Sequence, residues 1–314
     1  MSTSPLVSVI LPSFNQQAFI KDAIESVLFQ DYQNYELIIS DDKSTDRTVE
    51  IIEKYEKKFP EKIIFLSNKQ NLGITKNVNN AIRKSKGKYI VFMGGDDILL
   101  PNKFSNQVKT MENNPNITIS YHDVSAFDNA TGREIFRFSQ RYPHYEGDAS
   151  VVIRYGTFYS ALSCMLVRSS IPIYGCDDNI LICSDWVLMC ETLINGGGIF
   201  KYIPEVYALY RRHENSITYK IKKYLPDEEL KAIAIIKNKH PKFIEEIKRR
   251  EADLYFIKFL RNISRFQLIN SFTSLYNSIR LSKGFWSSPR ILIREIKWRV
   301  MSIYNKIFGV IRIL

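Results

Sequence analysis

Over about the first 115 residues, short apolar runs alternate with stretches whose apolar positions recur every three or four residues. Leu6 to Leu11 is a strand-like run stopped by Pro12, and across Gln17 to Gln30 the residues Phe19, Ile20, Ala23, Ile24, Val27 and Leu28 share one helical face. Tyr35 to Ser40 predicts a second strand and Asp46 to Phe59 a second helix. Lys62 to Leu66 predicts a third strand, Ile74 to Ser85 a helix, and Lys88 to Met93 a fourth strand, after which Pro101 opens another helix. This β-α order predicts an α/β fold with parallel strands between two layers of helices, in which ligands gather at the carboxyl ends of the strands.

Beyond residue 117 the rhythm changes. Apolar runs such as Ser163 to Arg168 and Phe200 to Tyr210 alternate with polar turns, which predicts an α+β continuation of the same sheet. From Ile221 onward Pro and Gly are rare, and Asp227 to Lys237, Phe243 to Leu281 with an interruption, and Ser288 to the C-terminus read as helices. The chain therefore divides into 1–220, the ligand-binding α/β part, and 221–314, a helical appendage.

The composition permits a sizeable core, with 314 residues and 45% hydrophobic content, and the formal charge of +11 implies an acidic partner. Four cysteines, Cys164, Cys176, Cys183 and Cys190, form no CxxC pair, so neither a zinc module nor a disulfide framework is indicated. The N-terminus lacks the features of a signal peptide, and there is no apolar run of about 18 residues. The expected location is the cytoplasm, where the sequons at Asn116, Asn129 and Asn262 carry no weight.

The predicted strand ends hold the candidate chemistry. The first ends in LPSFN, the second in SDDKSTD and the fourth in GGDDILLP, which brings Asn15, the Asp41-Asp42 pair and the Asp96-Asp97 pair to one edge. Turn formation and helix capping account for each of these taken singly, and Asp46 is placed to cap the second helix. Two adjacent carboxylates in FMGGDDILLP are different, because they repel unless a cation or hydrogen-bond donors accompany them. A hard cation takes one or two carboxylates with phosphate oxygens and water, and glycines before the acids admit a bulky ligand.

VSVILPSFN, YELIISDDKSTDRT, NLGITKNVNNAI and GKYIVFMGGDD, in this order, resemble the family-two inverting glycosyltransferases of GT-A fold, over roughly Leu6 to Ser216. The family's usual DDGSTD is here Asp41-Asp42-Lys43-Ser44-Thr45-Asp46. The resemblance implies that Pro12, Phe14 and Asn15 line a nucleotide pocket, with Phe14 near the base and Asp42 accepting from the ring N–H of uracil or thymine. It implies that Asp96 and Asp97 are a DXD variant, one facing ribose and the other, taken as Asp97, holding Mn²⁺ or Mg²⁺ on the diphosphate. Many members have a further acid where this chain has Gly94. Lys76, beside Asn77, is a candidate for the phosphates or ribose.

Inverting transfer needs a carboxylate to take the acceptor proton. ICSDWVLMCETL resembles the family's base motif and makes Asp185 the catalytic candidate, with Glu191 in reserve and a plain helix cap as the alternative for Asp185. YRRHENSIT resembles the basic segment that closes over the diphosphate in non-processive relatives, with Arg211 and Arg212 toward phosphate and His213 toward the metal, a solvent role being open for His213. The QxxRW signature of processive synthases is absent, which favours one sugar per acceptor.

From Arg280 to Leu314 the basic residues Arg280, Lys283, Arg290, Arg294, Lys297, Arg299, Lys306 and Arg312 face the single acid Glu295, while Ile293, Ile296, Val300, Ile303, Ile307, Ile311 and Leu314 recur at helical spacing. Such a segment either lies on an anionic bilayer or packs on its own domain. The membrane reading places the protein peripherally on the cytoplasmic face of the inner membrane. A polyprenyl-diphosphate-linked saccharide or another glycan is the expected acceptor, in O-antigen, capsule or exopolysaccharide synthesis. The expected donor is a nucleotide sugar, a UDP-sugar ahead of dTDP-rhamnose. A nucleic-acid binder is disfavoured because the charge is concentrated in one apolar-rich tail. A nucleotidyltransferase lacks its glycine-rich phosphate loop, and a non-catalytic nucleotide-sugar receptor stays open through Gly94.

Overall fold

The computed structural model describes residues 4–180, 183–216, 225–263 and 267–282. It forms two compact units, Met1–Val152 with Thr157–Tyr219, and Ile153–Gly156 with Lys220–Leu314. The first begins with the alternation expected from the sequence: β1 (Val7–Ser13), α1 (Ile20–Leu28), β2 (Tyr35–Asp41), α2 (Thr48–Lys58), β3 (Ile63–Ser67), α3 (Ile74–Lys84) and β4 (Tyr89–Phe92). It continues through β5 (Ile98–Leu99), α4 (Lys103–Asn113), β6 (Ile117–Asp128), β7 (Glu134–Arg137), the single turn α5 (Phe138–Arg141), α6 (Ala149–Tyr155), β8 (Met165–Val167), α7 (Ser184–Gly196) and β9 (Ile199–Arg212).

The nine strands among the described residues form one sheet, in the order β3-β2-β1-β4-β8-β6-β9-β5, with β7 on β6. β1 to β4 are mutually parallel, β8 runs antiparallel to β4 and β6, and β6 pairs parallel with β9. The fold is thus a mixed α/β sheet with a parallel half, as the sequence predicts. Every residue of β2 is buried, as a strand covered on both faces requires. On α1 the buried Ile20, Ala23, Ile24 and Val27 are four of the six residues that gave it helical periodicity.

Two registers position the strand ends. β1 and β2 finish in step, Ser13 opposite Asp41, and β4 meets β1 with Phe92 opposite Ile10. The chain after Phe92 therefore emerges beside the end of β1. The short β5, not expected from the sequence, then pairs antiparallel with β9, Ile98 opposite Leu209, which carries the preceding acids toward Arg211. The expectation that Pro101 opens a helix is corrected slightly. Asn102 adopts a left-handed φ of 69°, so Pro101 and Asn102 form a turn and α4 starts at Lys103.

The second unit contains α8 (Leu225–Lys239), α9 (Ile244–Ile263) and α10 (Leu268–Ser282). The end of α6 from Ile153 belongs to this unit as well, and there Arg154 and Asp253 form a buried ion pair at 2.5 Å. The helix expected from Ser288 onward lies outside the described residues, as does all of the basic tail except Arg280.

Candidate functional site

The end of β1 is tied to the loop after β2. Ser13 donates to Asp41 Oδ2 at 2.9 Å, and Asp41 also accepts from the Ser44 backbone and hydroxyl at 2.8 and 2.5 Å. Asn15, with a left-handed φ of 52°, accepts from the Thr45 backbone at 2.8 Å, while its own N–H donates to Ser44. Lys43 occupies the family's glycine position, and its φ of 64° shows why glycine suits it there, since a left-handed residue with a Cβ is strained by about 1 kcal/mol. Pro12 is half-buried in β1, and the next aromatic, Phe14, stands 47% exposed at the strand end.

Asp42 is buried, and both its oxygens hold protein donors: Oδ1 accepts from Leu72 N at 2.7 Å and from Asn68 Nδ2 at 3.1 Å, Oδ2 from Gly73 N at 2.8 Å. A carboxylate has about four acceptor positions, so three are filled and one is left on Oδ2 for a further donor. The same contacts set the start of α3, where Lys76 is exposed in the first turn. Asn77 beside it is buried and clamps α3 to β2, accepting from Ser40 Oγ at 2.6 Å and donating to Ser40 O at 2.8 Å. Asp46 accepts from the Thr48 backbone at 3.0 Å just ahead of α2, close to its expected cap.

The acid pair is the most elaborately held part of the edge. Asp97 is buried; its Oδ1 accepts the Arg211 backbone N–H at 3.0 Å, and its own N–H reaches Gly94 O at 3.2 Å. Asp96 Oδ2 lies 3.0 Å from His213 Nε2. A Cβ at position 94 would lie 2.6 Å from Asp96 Oδ1 and 3.2 Å from Asp97 Oδ2, so both carboxylates reach toward the space that Gly94 leaves open. A Cβ at Gly95 would lie 2.0 Å from Gln16 Oε1, so a side chain there would have to displace the Gln16 amide. Burial, and then the Asp96 charge, push Asp97 well above the ordinary carboxylate range, against the opposing pull of the Arg211 N–H.

Arg211 is spent on this construction. Its guanidinium donates to Asp96 O at 2.7 Å, Asn129 Oδ1 at 2.8 Å and Asp22 Oδ2 at 3.1 Å, and it lies 5.0 Å from the ring centroids of both Phe19 and Phe127. In this conformation it holds the acids and does not face outward to a phosphate. Arg212 is half-buried with its guanidinium over Tyr210, and the His213 ring packs on Phe19 at 4.6 Å. Phe19, Asp22, Phe127 and Asn129 were not singled out from the sequence. Nothing in their local patterns marks them for this site, because they meet Arg211 only through tertiary structure: Phe127 stands opposite Arg211 where β6 pairs with β9, Asn129 follows β6, and Phe19 and Asp22 come from the start of α1.

Asp185 lies half-buried in the first turn of α7 and accepts from the Trp186 backbone at 2.8 Å. The cap residue of α7 is Cys183, so Asp185 stands inside the helix. The approach to α7 is fastened to α3: Asn79 exchanges hydrogen bonds with the backbone of Cys176, at 2.7 and 2.9 Å, and Thr75 donates to Ile180 O at 3.2 Å. Through Thr75 that approach is tied to the same first turn of α3 that Asp42 organises. Glu191, the reserve candidate, is buried and accepts the Tyr174 hydroxyl.

Among the described residues no three His, Cys, Asp or Glu side chains converge as a ready-made metal shell. The expected trio of Asp96, Asp97 and His213 is therefore not a closed cage. It nevertheless fits a cation that takes most of its ligands from elsewhere. Two carboxylates face one opening, and His213 Nδ1, on the ring that meets Asp96, and Gln16 Oε1, beside Gly95, are buried with no hydrogen-bond partner among the described residues. Mg²⁺ and Mn²⁺ characteristically combine one or two carboxylates with phosphate oxygens and water.

A parallel half-sheet continued by antiparallel strands, with paired acids at its carboxyl edge, defines the GT-A class of nucleotide-sugar-binding folds. The chain belongs to glycosyl transferase family 2, whose model matches residues 8–171. It is 33% identical over 128 residues to EpsE and 39% identical over 107 residues to TuaG, both of Bacillus subtilis (strain 168) and both provisionally assigned as glycosyltransferases, TuaG in teichuronic acid biosynthesis. These stretches cover 41% and 34% of this chain and 46% and 42% of the two relatives, so the chain spans less than half of either. In structure it is similar to residues 1–349 of S. aureus TarS in complex with UDP-GlcNAc, with a TM-score of 0.67, 15% identity, and coverage of 88% of this chain and 81% of that one. It is also similar to the mannosyltransferase PcManGT from Pyrobaculum calidifontis in complex with GDP-Man and Mn2+, with a TM-score of 0.62, 16% identity, and coverage of 97% and 82%. At these identities the structural likeness speaks for the fold.

Proposed function

We propose that the protein is a metal-assisted, inverting, non-processive glycosyltransferase. It would move one sugar from a nucleoside-diphosphate sugar, UDP-linked ahead of dTDP-linked, to a hydroxyl of a glycan or polyprenyl-diphosphate-linked saccharide in bacterial surface polysaccharide synthesis. The observation that carries this reading is the pair Asp96 and Asp97, turned toward the opening above Gly94 and braced by Arg211 and His213. Two carboxylates held together at such cost in repulsion are suited to a cation and the diphosphate it accompanies.

In this reading Phe14 offers its exposed face to the base, with Pro12 and Asn15 shaping the pocket wall and the remaining acceptor position of Asp42 taking a base N–H. Lys76 and Arg212 supply positive charge toward the phosphates. Arg211 acts by fixing the acids. Asp96, Asp97 and His213 would hold Mn²⁺ or Mg²⁺, which when bound neutralises the departing diphosphate. Asp185 takes the proton from the acceptor hydroxyl as its oxygen attacks the anomeric carbon and the nucleoside diphosphate leaves from the opposite face. Glu191 is unsuited to that role, being buried against Tyr174. A lipid-linked acceptor would place the enzyme peripherally at the inner face of a bacterial membrane, and no helix among the described residues is long and apolar enough to cross one.

The test is a thermal-shift panel of UDP- and dTDP-sugars with and without Mn²⁺. A rise in the transition that needs both nucleotide and metal supports the assignment. Indifference to every nucleotide sugar overturns it.

A further inference from the structure

The helical unit carries a face that its own packing does not explain. α10 turns its small residues inward: Ser271, Ser274 and Ser278 are buried, and Ser278 Oγ donates to Ala252 O of α9 at 2.8 Å. Its bulky residues point outward. Ile269, Phe272 and Tyr276 are 84%, 68% and 65% exposed, and their spacings of three and four place them on one stripe. Helices of soluble domains ordinarily bury such a stripe and expose the serines.

Charge decides between a second copy and a lipid surface as its cover. α10 contains no Asp or Glu, and it ends on Arg280 two residues before Ser282. The segment that follows in sequence, residues 283–314, carries seven Lys or Arg against Glu295 alone. A second copy seated on the stripe would bring two such basic segments together and repel. An anionic surface that also accepts apolar side chains satisfies both features, because phenylalanine and tyrosine are suited to the headgroup boundary and basic residues to acidic lipid.

We propose that the outward face of α10, through Ile269, Phe272 and Tyr276, docks on an anionic phospholipid surface, with the adjoining basic segment supplying the attraction. This deepens the peripheral placement proposed above and rests on that reading for the relevance of lipid. It moves the apolar contact upstream, onto a helix that is otherwise part of a folded unit.

The experiment is flotation of the full chain with vesicles of phosphatidylglycerol and phosphatidylcholine in equal parts, and with phosphatidylcholine alone. The unsubstituted chain is expected to float with the anionic vesicles and to be released by high salt. The pair Ile269→Ser and Phe272→Ser should lower partition by about tenfold or more with an unchanged thermal transition. As a measurement independent of that pair's folding, Phe272→Trp should show extra emission quenching by brominated anionic lipid beyond that of the unsubstituted chain. No flotation of the unsubstituted chain, flotation of the serine pair equal to it, or no extra quenching of Phe272→Trp overturns the proposal. So does a dimer in light scattering that the serine pair converts to monomer, which would assign the face to a second copy. Neither donor nor acceptor is present in the assay, so its failure leaves the nucleotide-binding result untouched, and the reverse also holds.

Discussion

The backbone N–H of Arg211 lies 3.0 Å from Asp97 Oδ1, while the same residue's side chain reaches the carbonyl of Asp96 at 2.7 Å. One residue of β9 thus grips both members of the acid pair, and its guanidinium is anchored at the far end on Asn129 and Asp22. Arg211→Ala should destabilise the protein by roughly 1–3 kcal/mol in urea denaturation, because the buried guanidinium's packing against Phe19 and Phe127 and its charged hydrogen bond to Asp96 O are lost. Arg211→Lys keeps the charge without the planar fork and should fall between, with Mn²⁺ affinity weakened before any nucleotide is added. A phosphate-binding arginine would behave differently: the lysine variant would bind nucleotide poorly while the unliganded protein and its Mn²⁺ affinity stayed as they were.

Gly94 makes a separate prediction. The Cβ of Gly94→Ala would press on Asp96 Oδ1, and Asp96 cannot swing away without leaving His213. Overall stability should change by no more than about 1 kcal/mol, since the strain falls on a partly solvated side chain. Calorimetric Mn²⁺ titration in the presence of a nucleoside diphosphate should show affinity reduced by at least about tenfold, corresponding to roughly 1.4 kcal/mol. Unaltered Mn²⁺ affinity would remove the opening above Gly94 from the metal site.

For the proposed base, Asp185→Asn is nearly isosteric and can still accept from the Trp186 N–H. It should reduce turnover by at least about a hundredfold while leaving donor binding in the thermal-shift assay unchanged. Glu191→Gln should instead act on stability, because the Glu191 carboxylate is itself buried and accepts the Tyr174 hydroxyl. If Glu191→Gln abolished turnover at full stability and Asp185→Asn did not, the two assignments would be exchanged.

The parallel half of the fold was legible because its signals are local. Val7 to Ser13 and Tyr35 to Asp41 are buried apolar strands, and the face Ile20, Ala23, Ile24 and Val27 announces its helix by spacing alone. The acids at the strand ends followed from that order. The support around them was not legible, because Arg211 comes to lie beside Asp97 only when β5 pairs with β9, residues more than a hundred positions apart in sequence. The same limit applies to Asp42. Its position was readable, but not that the Leu72 and Gly73 amides occupy it, because those bonds depend on how the loop before α3 folds back. Asn77 resembles an ordinary polar helix residue until its clamp on Ser40 is seen.

Lys103 provides a prediction about pH. It is fully buried at the start of α4, donating to Gln107 Oε1 at 2.7 Å, to His122 Nε2 at 2.9 Å and to Ser163 O at 3.3 Å. His122 is held neutral by burial and then by the Lys103 charge, with its Nδ1–H donating to Asp123 O at 2.7 Å. Three neutral acceptors surround the ammonium and no carboxylate among the described residues bonds to it, so burial draws Lys103 down to about 7, only weakly opposed by Cys164. In the unfolded chain a lysine keeps its proton to about pH 10.4. Between about pH 7 and 10.4 the unfolded state therefore binds the extra proton, and stability rises with pH; below pH 7 both states are protonated and the penalty is constant. The buried thiols act oppositely at higher pH, since burial pushes Cys164 and Cys176 up to about 12 while unfolded thiols ionise near 8.5. The lysine contribution is thus read most cleanly from pH 7 to about 8.5, where it should add about 1–2 kcal/mol. Urea denaturation of the unsubstituted chain and of Lys103→Met over that window should differ by this rise, whatever the variant's absolute stability. Equal pH slopes in the two proteins would show that Lys103 keeps an ordinary affinity for its proton inside the fold.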